Sequence, residues 1–255
     1  MVEVVILAVL QGVAEFLPVS SSGHLVVAQH LLGVNEPGMR LDLCLHVGTL
    51  ASIFFFYRGV LWRIVRERQW RYVAKIALSS LPAIVVYACC HDFIDGMFAN
   101  AQMVGALLMF TGAVLIGTRY MSVGQGPITF GRALLMGFGQ ALALLPGVSR
   151  SGMTLASARA GGVDPAKSAE FSFLMSAPLI IGGMALEIIK SFRVGESAAA
   201  AENAVGWGLL TVGTLIAAVV GYFSLALLVQ TLRGKRFWFF GPYCLAAGLL
   251  TVILV

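Results

Sequence analysis

The sequence predicts an all-α polytopic membrane protein with six transmembrane helices and two re-entrant helical hairpins, arranged as an inverted-topology repeat. Three observations lead to this prediction: the composition, the lengths of the apolar segments, and a motif that occurs twice. Of the 255 residues, 59% are hydrophobic and 11% are charged, and the mean hydropathy is +0.90. Soluble domains carry roughly 25% charged residues. Lipid is therefore the main solvent, and 1–255 is expected to form a single integral membrane domain.

Six segments are long and apolar enough to cross a bilayer core, which takes about 20 residues per helix. These segments are 41–57, 72–90, 101–119, 168–190, 204–231 and 238–255. Two further apolar regions, 1–33 and 133–161, are each interrupted by a run rich in Pro, Ser and Gly. The pieces on either side are too short to cross, and irregular backbone at membrane depth is tolerated only inside protein or along a wet cavity. These two regions are therefore predicted to be re-entrant hairpins.

The charged residues predict the orientation. The segment 58–71 carries five arginines, whereas 91–100 carries Asp92 and Asp95 and no Lys or Arg. Because Lys and Arg favour cytoplasmic loops, the first segment is predicted inside and the second outside. Both termini then lie outside, the first hairpin enters from the outside and the second enters from the inside. The net charge of +5 follows from this topology, so no nucleic-acid partner is expected.

The two interruptions are related by an internal repeat. At an offset of 129 residues, identical residues recur: Gln11 and Gln140, Val19 and Val148, Ser20 and Ser149, Ser22 and Ser151, Gly23 and Gly152. The halves, approximately 1–120 and 130–255, have opposite orientation in the predicted topology. In inverted repeats the site lies near the midplane, where broken helices from both halves meet.

Polar residues gather at both interruptions. The first group is Gln11, Glu15, Ser20, Ser21, Ser22 and His24, and the second is Ser149, Arg150, Ser151 and Thr154. Facing helix N-termini suit an anion, and the guanidinium of Arg150 can hold a phosphate through two hydrogen bonds. Glu15 and His24 can transfer protons, and a serine beside such a base can act as a nucleophile. These groups predict a phosphoryl-transfer site, although the serines also suit helix caps and Glu15 with Arg150 also suits a structural pair.

Residues 11–24 read QGVAEFLPVSSSGH, and residues 146–154 read PGVSRSGMT. These stretches resemble the two motifs of the undecaprenyl pyrophosphate phosphatase family, which is also known for bacitracin resistance. The first family motif has Glu or Gln, three residues and then Glu; the second is Pro-Gly-x-Ser-Arg-Ser-x-x-Thr. The resemblance covers nearly the whole chain, including the repeat, the hairpins and the six spans.

The resemblance implies removal of the terminal phosphate from undecaprenyl diphosphate, which recycles the carrier lipid of cell-wall synthesis. It implies a multi-pass protein of the bacterial cytoplasmic (inner) membrane, with a site that opens to the outer side. By resemblance Glu15 is the acid/base or metal-associated carboxylate, Ser21 the candidate nucleophile, His24 a catalytic helper and Arg150 the phosphate clamp. The further residues expected to bind the substrate's phosphates are Gln11, Ser20, Ser22, Ser149, Ser151 and Thr154.

Position 11 is Gln, the uncharged of the family's two options. Gln lacks the charge that makes a carboxylate a strong Mg²⁺ ligand, so a cation held by two carboxylates is not expected. Glu15 together with diphosphate oxygens can still hold Mg²⁺ or Ca²⁺, and no organic cofactor is expected. The expected partners are the polyprenyl diphosphate and membrane lipids, and a homodimer is left open.

Two other functions stay open at this point. A polyprenyl-phosphate flippase or transporter is the main alternative, because inverted repeats with broken helices are typical of secondary transporters. A membrane structural protein would bind no ligand and would tolerate substitution of both Glu15 and Arg150. Lipid phosphatases of the phosphatidic acid type are excluded, because they need an Arg-Pro pair that this chain lacks and a His where Ala156 stands.

Overall fold

The computed structural model describes residues 1–32, 39–98, 100–194, 206–233 and 236–254. Within these ranges the chain forms eleven α-helices and no β-strand, as the composition predicts. The helices are α1 (Val2–Ala14), α2 (Ser21–Leu32), α3 (Met39–Phe56), α4 (Arg58–Arg66), α5 (Trp70–Met97), α6 (Ala101–Gly117), α7 (Phe130–Leu142), α8 (Arg150–Ala160), α9 (Pro165–Val194), α10 (Trp207–Arg233) and α11 (Phe240–Leu254). Residue 33 of the first predicted hairpin, and residues 204–205 and 255 of the predicted spans, lie outside the described residues.

Several of the described helices have the length and composition to cross a membrane. Four meet both conditions alone: Trp70–Met97, Ala101–Tyr120, Pro165–Leu186 and Trp207–Leu232. A fifth candidate is the pair Leu41–Phe56 and Arg58–Arg66, which is bent by 65°. The chain is therefore a membrane-type helical protein with four or five such helices.

The predicted count of six spans is not established by helix length. The last predicted span, 238–255, contains α11, which has 15 residues. At a rise of 1.5 Å per residue this helix is about 22 Å long, shorter than the hydrocarbon core of about 30 Å. The first predicted span, 41–57, ends at the bend, because α3 stops at Phe56 and α4 leaves in another direction.

The four helices that flank the two interruptions are short. They contain 13, 12, 13 and 11 residues in α1, α2, α7 and α8, so each is about 17–20 Å long. α1 packs against α10, and α7 packs against α5. The offset of 129 residues relates α1 to α7 and overlaps α5 with α10, so these two contacts occupy corresponding positions in the halves.

Glycines allow α6 and α11 to cross in close contact. A Cβ on Gly112 would lie 2.7 Å from the carbonyl oxygen of Gly241, and a Cβ on Gly105 would lie 2.8 Å from that of Gly248. Small residues at a crossing are typical of membrane helices, because they let backbones approach. Gly112 and Gly241 are also related by the offset of 129. This crossing fixes α11, and with it Tyr243, against the rest of the protein.

A buried aromatic pair lies just after α1. The rings of Phe16 and Phe173 are 5.5 Å apart between centroids, and both side chains are completely buried. Phe173 lies on α9, so this contact anchors the first interruption to the second half of the chain.

Candidate active site

The first interruption joins α1 to α2. After Ala14 the chain turns through residues 15–19 to Ser20, whose φ of +68° is uncommon for a residue with a side chain. The hydroxyl of Ser20 accepts a hydrogen bond of 3.3 Å from the N–H of Gly23, which caps the first turn of α2. The cap places the N-terminal end of α2, beginning with Ser21, at the interruption.

The second interruption joins α7 to α8 in a related way. Gly147 has a φ of +90°, and a Cβ there would lie 2.3 Å from the carbonyl oxygen of Val104, so this position requires glycine. The hydroxyl of Ser149 accepts a hydrogen bond of 3.1 Å from the N–H of Gly152. Ser149 therefore caps α8, which begins with Arg150.

The two interruptions lie in contact with each other. The hydroxyl of Ser151 donates to the carbonyl oxygen of Leu17 at 3.1 Å. A Cβ on Gly23 would lie 3.2 Å from the Cα of Gly147. The N-terminal ends of α2 and α8 are thus neighbours, and their free N–H groups provide partial positive charge in one region.

Glu15 is the centre of the polar contacts in this region. Its Oε2 accepts hydrogen bonds from Ser21 Oγ at 2.7 Å and from Gln11 Nε2 at 3.2 Å. Its Oε1 pairs with Nη2 of Arg150. The side chains of Glu15 and Arg150 are only 7% and 16% exposed. The structure therefore joins the two predicted groups through a buried ion pair.

A polar cavity of about 140 Å³ lies beside this pair. The residues that line it are Ala14, Glu15, Ser20, Ser21, Ser22, Ala143, Val148, Ser149 and Arg150. The Nη1 atom of Arg150 is buried and has no hydrogen-bond partner among the described residues. Buried donors in proteins are normally paired, so Nη1 is a donor for which the described residues provide no acceptor.

Three of the predicted substrate-binding residues do not line the cavity. Gln11 is completely buried behind Glu15. Ser151 bonds to Leu17, and Thr154 Oγ1 lies 2.6 Å from Ser172 Oγ. These contacts hold the ends of the two interruptions in place, and the expected binding of phosphate by these three residues stays a prediction.

His24 lies on the first turn of α2, and its ring does not line the cavity. Its Nδ1 is 2.8 Å from the carbonyl oxygen of Ser20, and its Nε2 is 2.8 Å from the hydroxyl oxygen of Tyr243. His24 is therefore connected to the site by its hydrogen bond to the carbonyl oxygen of Ser20.

Two residues of this region were not selected from the sequence. Thr111 Oγ1 accepts from the N–H of Ser149 at 3.1 Å and donates to the carbonyl oxygen of Gly147 at 3.1 Å, so α6 holds the second interruption. Tyr243 holds His24. A polar side chain within an apolar span is the one signal that could have selected them.

The side-chain atoms of the site that could coordinate a metal do not fit a cation held by the protein alone. Glu15 is already paired with Arg150, and both of its oxygens accept hydrogen bonds. Within the described part of the chain, no group of three or more His, Cys, Asp or Glu residues is placed to hold a metal ion. A divalent cation prefers several oxygen ligands, so most of them would have to come from a ligand.

Comparison with known proteins gives consistent matches. The family model for the bacitracin resistance protein BacA matches residues 4–250. A protein named undecaprenyl-diphosphatase from Desulfatibacillum aliphaticivorans is 36% identical, over 96% of this chain and 95% of that protein. Proteins of the same name from Desulforapulum autotrophicum and Rhodopirellula baltica are each 35% identical, over 98% and 100% of this chain and 96% and 98% of theirs.

These matches confirm the resemblance that the two motifs indicate. They extend over nearly the full length of both this chain and its relatives, so the similarity includes the helices as well as the motifs. The chain belongs to the family of the bacitracin resistance protein BacA.

Proposed function

We propose that this protein hydrolyses undecaprenyl diphosphate to undecaprenyl phosphate and inorganic phosphate. Its relatives are named for a diphosphatase activity, and the resemblance of the two motifs to the family implies the same activity. The observation that carries the proposal is the buried carboxylate of Glu15, which accepts a hydrogen bond from Ser21 and pairs with Arg150 at the wall of a polar cavity. A base, a hydroxyl nucleophile and a cationic clamp are the groups that phosphoryl transfer uses.

The terminal phosphate of the substrate occupies the cavity. The guanidinium of Arg150 donates to a phosphate oxygen, and Ser20, Ser22 and Ser149 line the rest of the site. The N-terminal ends of α2 and α8 favour the negative charge. The isoprenyl chain extends between helices towards the lipid, where its surroundings are apolar.

Ser21 is the candidate nucleophile, because its hydroxyl lies 2.7 Å from Glu15 Oε2. Ser21 Oγ bonds to the terminal phosphorus as its proton passes to Glu15, and the bond to the bridging oxygen breaks, which releases undecaprenyl phosphate. Water then cleaves the phosphoserine and inorganic phosphate leaves. Arg150 stabilises the charge of the transferring group. Direct attack by water activated by Glu15 gives the same products.

Release of phosphate from undecaprenyl diphosphate by purified protein in detergent tests the function. We expect Glu15→Gln, Ser21→Ala and Arg150→Ala each to lower the rate by about 100-fold or more. Ser80→Ala is the matched control, because Ser80 is a buried serine whose hydroxyl bonds to the carbonyl of Ile76 in its own helix. Unchanged release by the double variant of Glu15→Ala and Arg150→Ala would rule out this site.

The nucleophile is tested separately. Mass spectrometry of protein quenched during turnover should find phosphate on Ser21 if the serine attacks. Phosphate on Ser20 or Ser22 would move the role to that residue. A fully active Ser21→Ala variant with no trapped phosphoserine would favour attack by water.

A divalent cation enters this scheme with the substrate. Glu15 alone is a poor site, whereas diphosphate oxygens are good ligands for Mg²⁺ or Ca²⁺. We therefore expect any cation to be held mainly by the diphosphate. The flippase alternative has no support from the relatives, whose names describe a phosphatase.

The proposed topology has six crossings and two re-entrant hairpins in the bacterial cytoplasmic membrane, with the site open to the outer side. It is supported by the short helices on both sides of each interruption, and by the corresponding contacts of α1 with α10 and α7 with α5. The arginines of 58–71 favour the cytoplasmic side for α4.

Labelling of single cysteines in intact cells tests this topology. The native Cys44, Cys89, Cys90 and Cys244 are first replaced. We expect Gly96→Cys to react with a membrane-impermeant maleimide from outside and Arg68→Cys to react only after the membrane is opened. Labelling of Arg68→Cys from outside would reverse the orientation.

A further inference from the structure

Both ring nitrogens of His24 have partners within the protein. Nδ1 lies 2.8 Å from the carbonyl oxygen of Ser20, and a carbonyl oxygen only accepts, so Nδ1 carries the hydrogen. Nε2 lies 2.8 Å from the hydroxyl oxygen of Tyr243. In the neutral imidazole Nε2 accepts, so the Tyr243 hydroxyl is the donor.

Tyr243 reaches His24 from a distant part of the chain. The two residues are 219 positions apart, and Tyr243 lies on α11, whose crossing with α6 depends on Gly112 and Gly241. The two rings are nearly parallel, with centroids 5.6 Å apart and planes 9° apart. The outer nitrogen of the His24 ring is therefore held by a hydrogen bond from one residue of a distant helix.

The carbonyl oxygen that His24 holds belongs to the peptide that precedes Ser21. Ser20 has a φ of +68°, a conformation that costs free energy for a residue with a side chain. Its carbonyl oxygen also accepts from the backbone N–H of His24 at 3.2 Å. The imidazole adds a second hydrogen bond to this oxygen and so restricts the direction in which Ser21 leaves the turn.

We propose that Tyr243 is a positioning residue for the reaction. It holds the imidazole of His24 on the Ser20 carbonyl, and His24 in turn holds the peptide that aims the Ser21 hydroxyl at Glu15. This inference rests on the proposed function. It gives His24 an orienting role through the backbone in place of a proton transfer to the substrate, because the ring of His24 does not line the cavity and both of its nitrogens are already engaged.

Steady-state hydrolysis of undecaprenyl diphosphate by Tyr243→Phe tests the inference. The loss of one hydrogen bond should lower kcat by about 3- to 10-fold with KM changed by less than about twofold. Tyr222→Phe is the matched control: Tyr222 is a partly buried tyrosine on α10 with ring contacts to Phe55 and Phe56, and we expect wild-type kinetics. Equal rates for Tyr243→Phe and wild type would overturn the role of Tyr243.

A double-mutant cycle shows whether Tyr243 acts through His24. In a His24→Ala background, Tyr243→Phe should cause no further loss, whereas an undiminished loss would show an independent effect and refute the inference. His24→Asn keeps an N–H close to the position of Nδ1, so it should recover part of the rate that His24→Ala loses. No recovery would indicate that the imidazole itself transfers a proton.

A nitrogen-15 spectrum of protein labelled at histidine tests the contact without turnover. The His24 signals, identified by their loss in His24→Asn, should report hydrogen on Nδ1 and should shift in Tyr243→Phe. Unshifted signals would overturn the contact. Absence of phosphate release by the wild type would refute the proposed function itself, an outcome distinct from an active enzyme whose rate is insensitive to Tyr243.

Discussion

Replacement of Arg150 with methionine removes the guanidinium that pairs with Glu15 and keeps a flexible apolar side chain. The two side chains are 16% and 7% exposed, so water screens their interaction little. Loss of one partner from a buried ion pair costs about 3–5 kcal/mol, because the other charge is left uncompensated. Gln11 and Ser21 still donate to Glu15, so we expect a loss near the lower limit, about 3 kcal/mol in the free energy of unfolding.

The complementary change, Glu15→Gln, leaves Arg150 unpaired and should cost a similar amount. The double variant, Glu15→Gln with Arg150→Met, contains no buried charge at this point. Its loss should therefore be at least about 2 kcal/mol smaller than the sum of the two single losses. All three variants should release phosphate at least about 100-fold more slowly than the wild type, since each lacks the base, the clamp or both.

Reversible unfolding in mixed micelles with an increasing fraction of sodium dodecyl sulfate, followed by tryptophan fluorescence, measures these free energies. Asp92→Asn is a control, because the Asp92 side chain contacts His91 while 95% exposed, and exposed contacts of this kind contribute little. A double variant whose loss of unfolding free energy equals the sum of the two single losses would refute the reasoning. They would mean that Glu15 and Arg150 do not depend on each other in the folded protein.

Three further predictions concern the surroundings of the site. Gly147→Ala should strongly lower the yield of folded protein, because its φ is +90° and a Cβ would meet the carbonyl of Val104 at 2.3 Å; Gly59→Ala, where a Cβ meets nothing within 4 Å, should have no such effect in the same detergent-extraction assay. Thr111→Val removes the acceptor of the Ser149 N–H, so we expect a drop in kcat of about tenfold and a lower unfolding midpoint. Chelation with EDTA should leave the unfolding temperature of the free protein unchanged, because the protein's own ligand atoms do not fit a cation; a lower unfolding temperature after chelation would show a site in the free protein.

Local features of the site follow from the sequence. Gln11 and Glu15 are four residues apart in an apolar helix, so they must share a face, and the structure shows the hydrogen bond between them. Ser149 precedes a helix and caps it, as serine commonly does. The repeat at an offset of 129 places the two interruptions in related positions before any contact is known.

Contacts between helices that are distant in the chain do not follow from the sequence. Glu15 and Arg150 are 135 residues apart, and the sequence offers their pairing only as one of two interpretations, which the contact between them in the structure decides. The bend of 65° between α3 and α4 is likewise absent from the hydropathy, which predicts a span that simply ends at residue 57.

The sequence by itself determined that this protein is a membrane-type bundle of helices with polar residues at two interruptions, because composition and spacing act locally. Only the tertiary structure decided that α11 supplies Tyr243 to His24 and that α6 supplies Thr111 to Ser149. The physical reason is the solvent: in lipid, the faces of a helix that meet other helices and the faces that meet acyl chains are both apolar. Hydropathy therefore does not mark which face turns inward, and the partners of the site are set by how the helices pack.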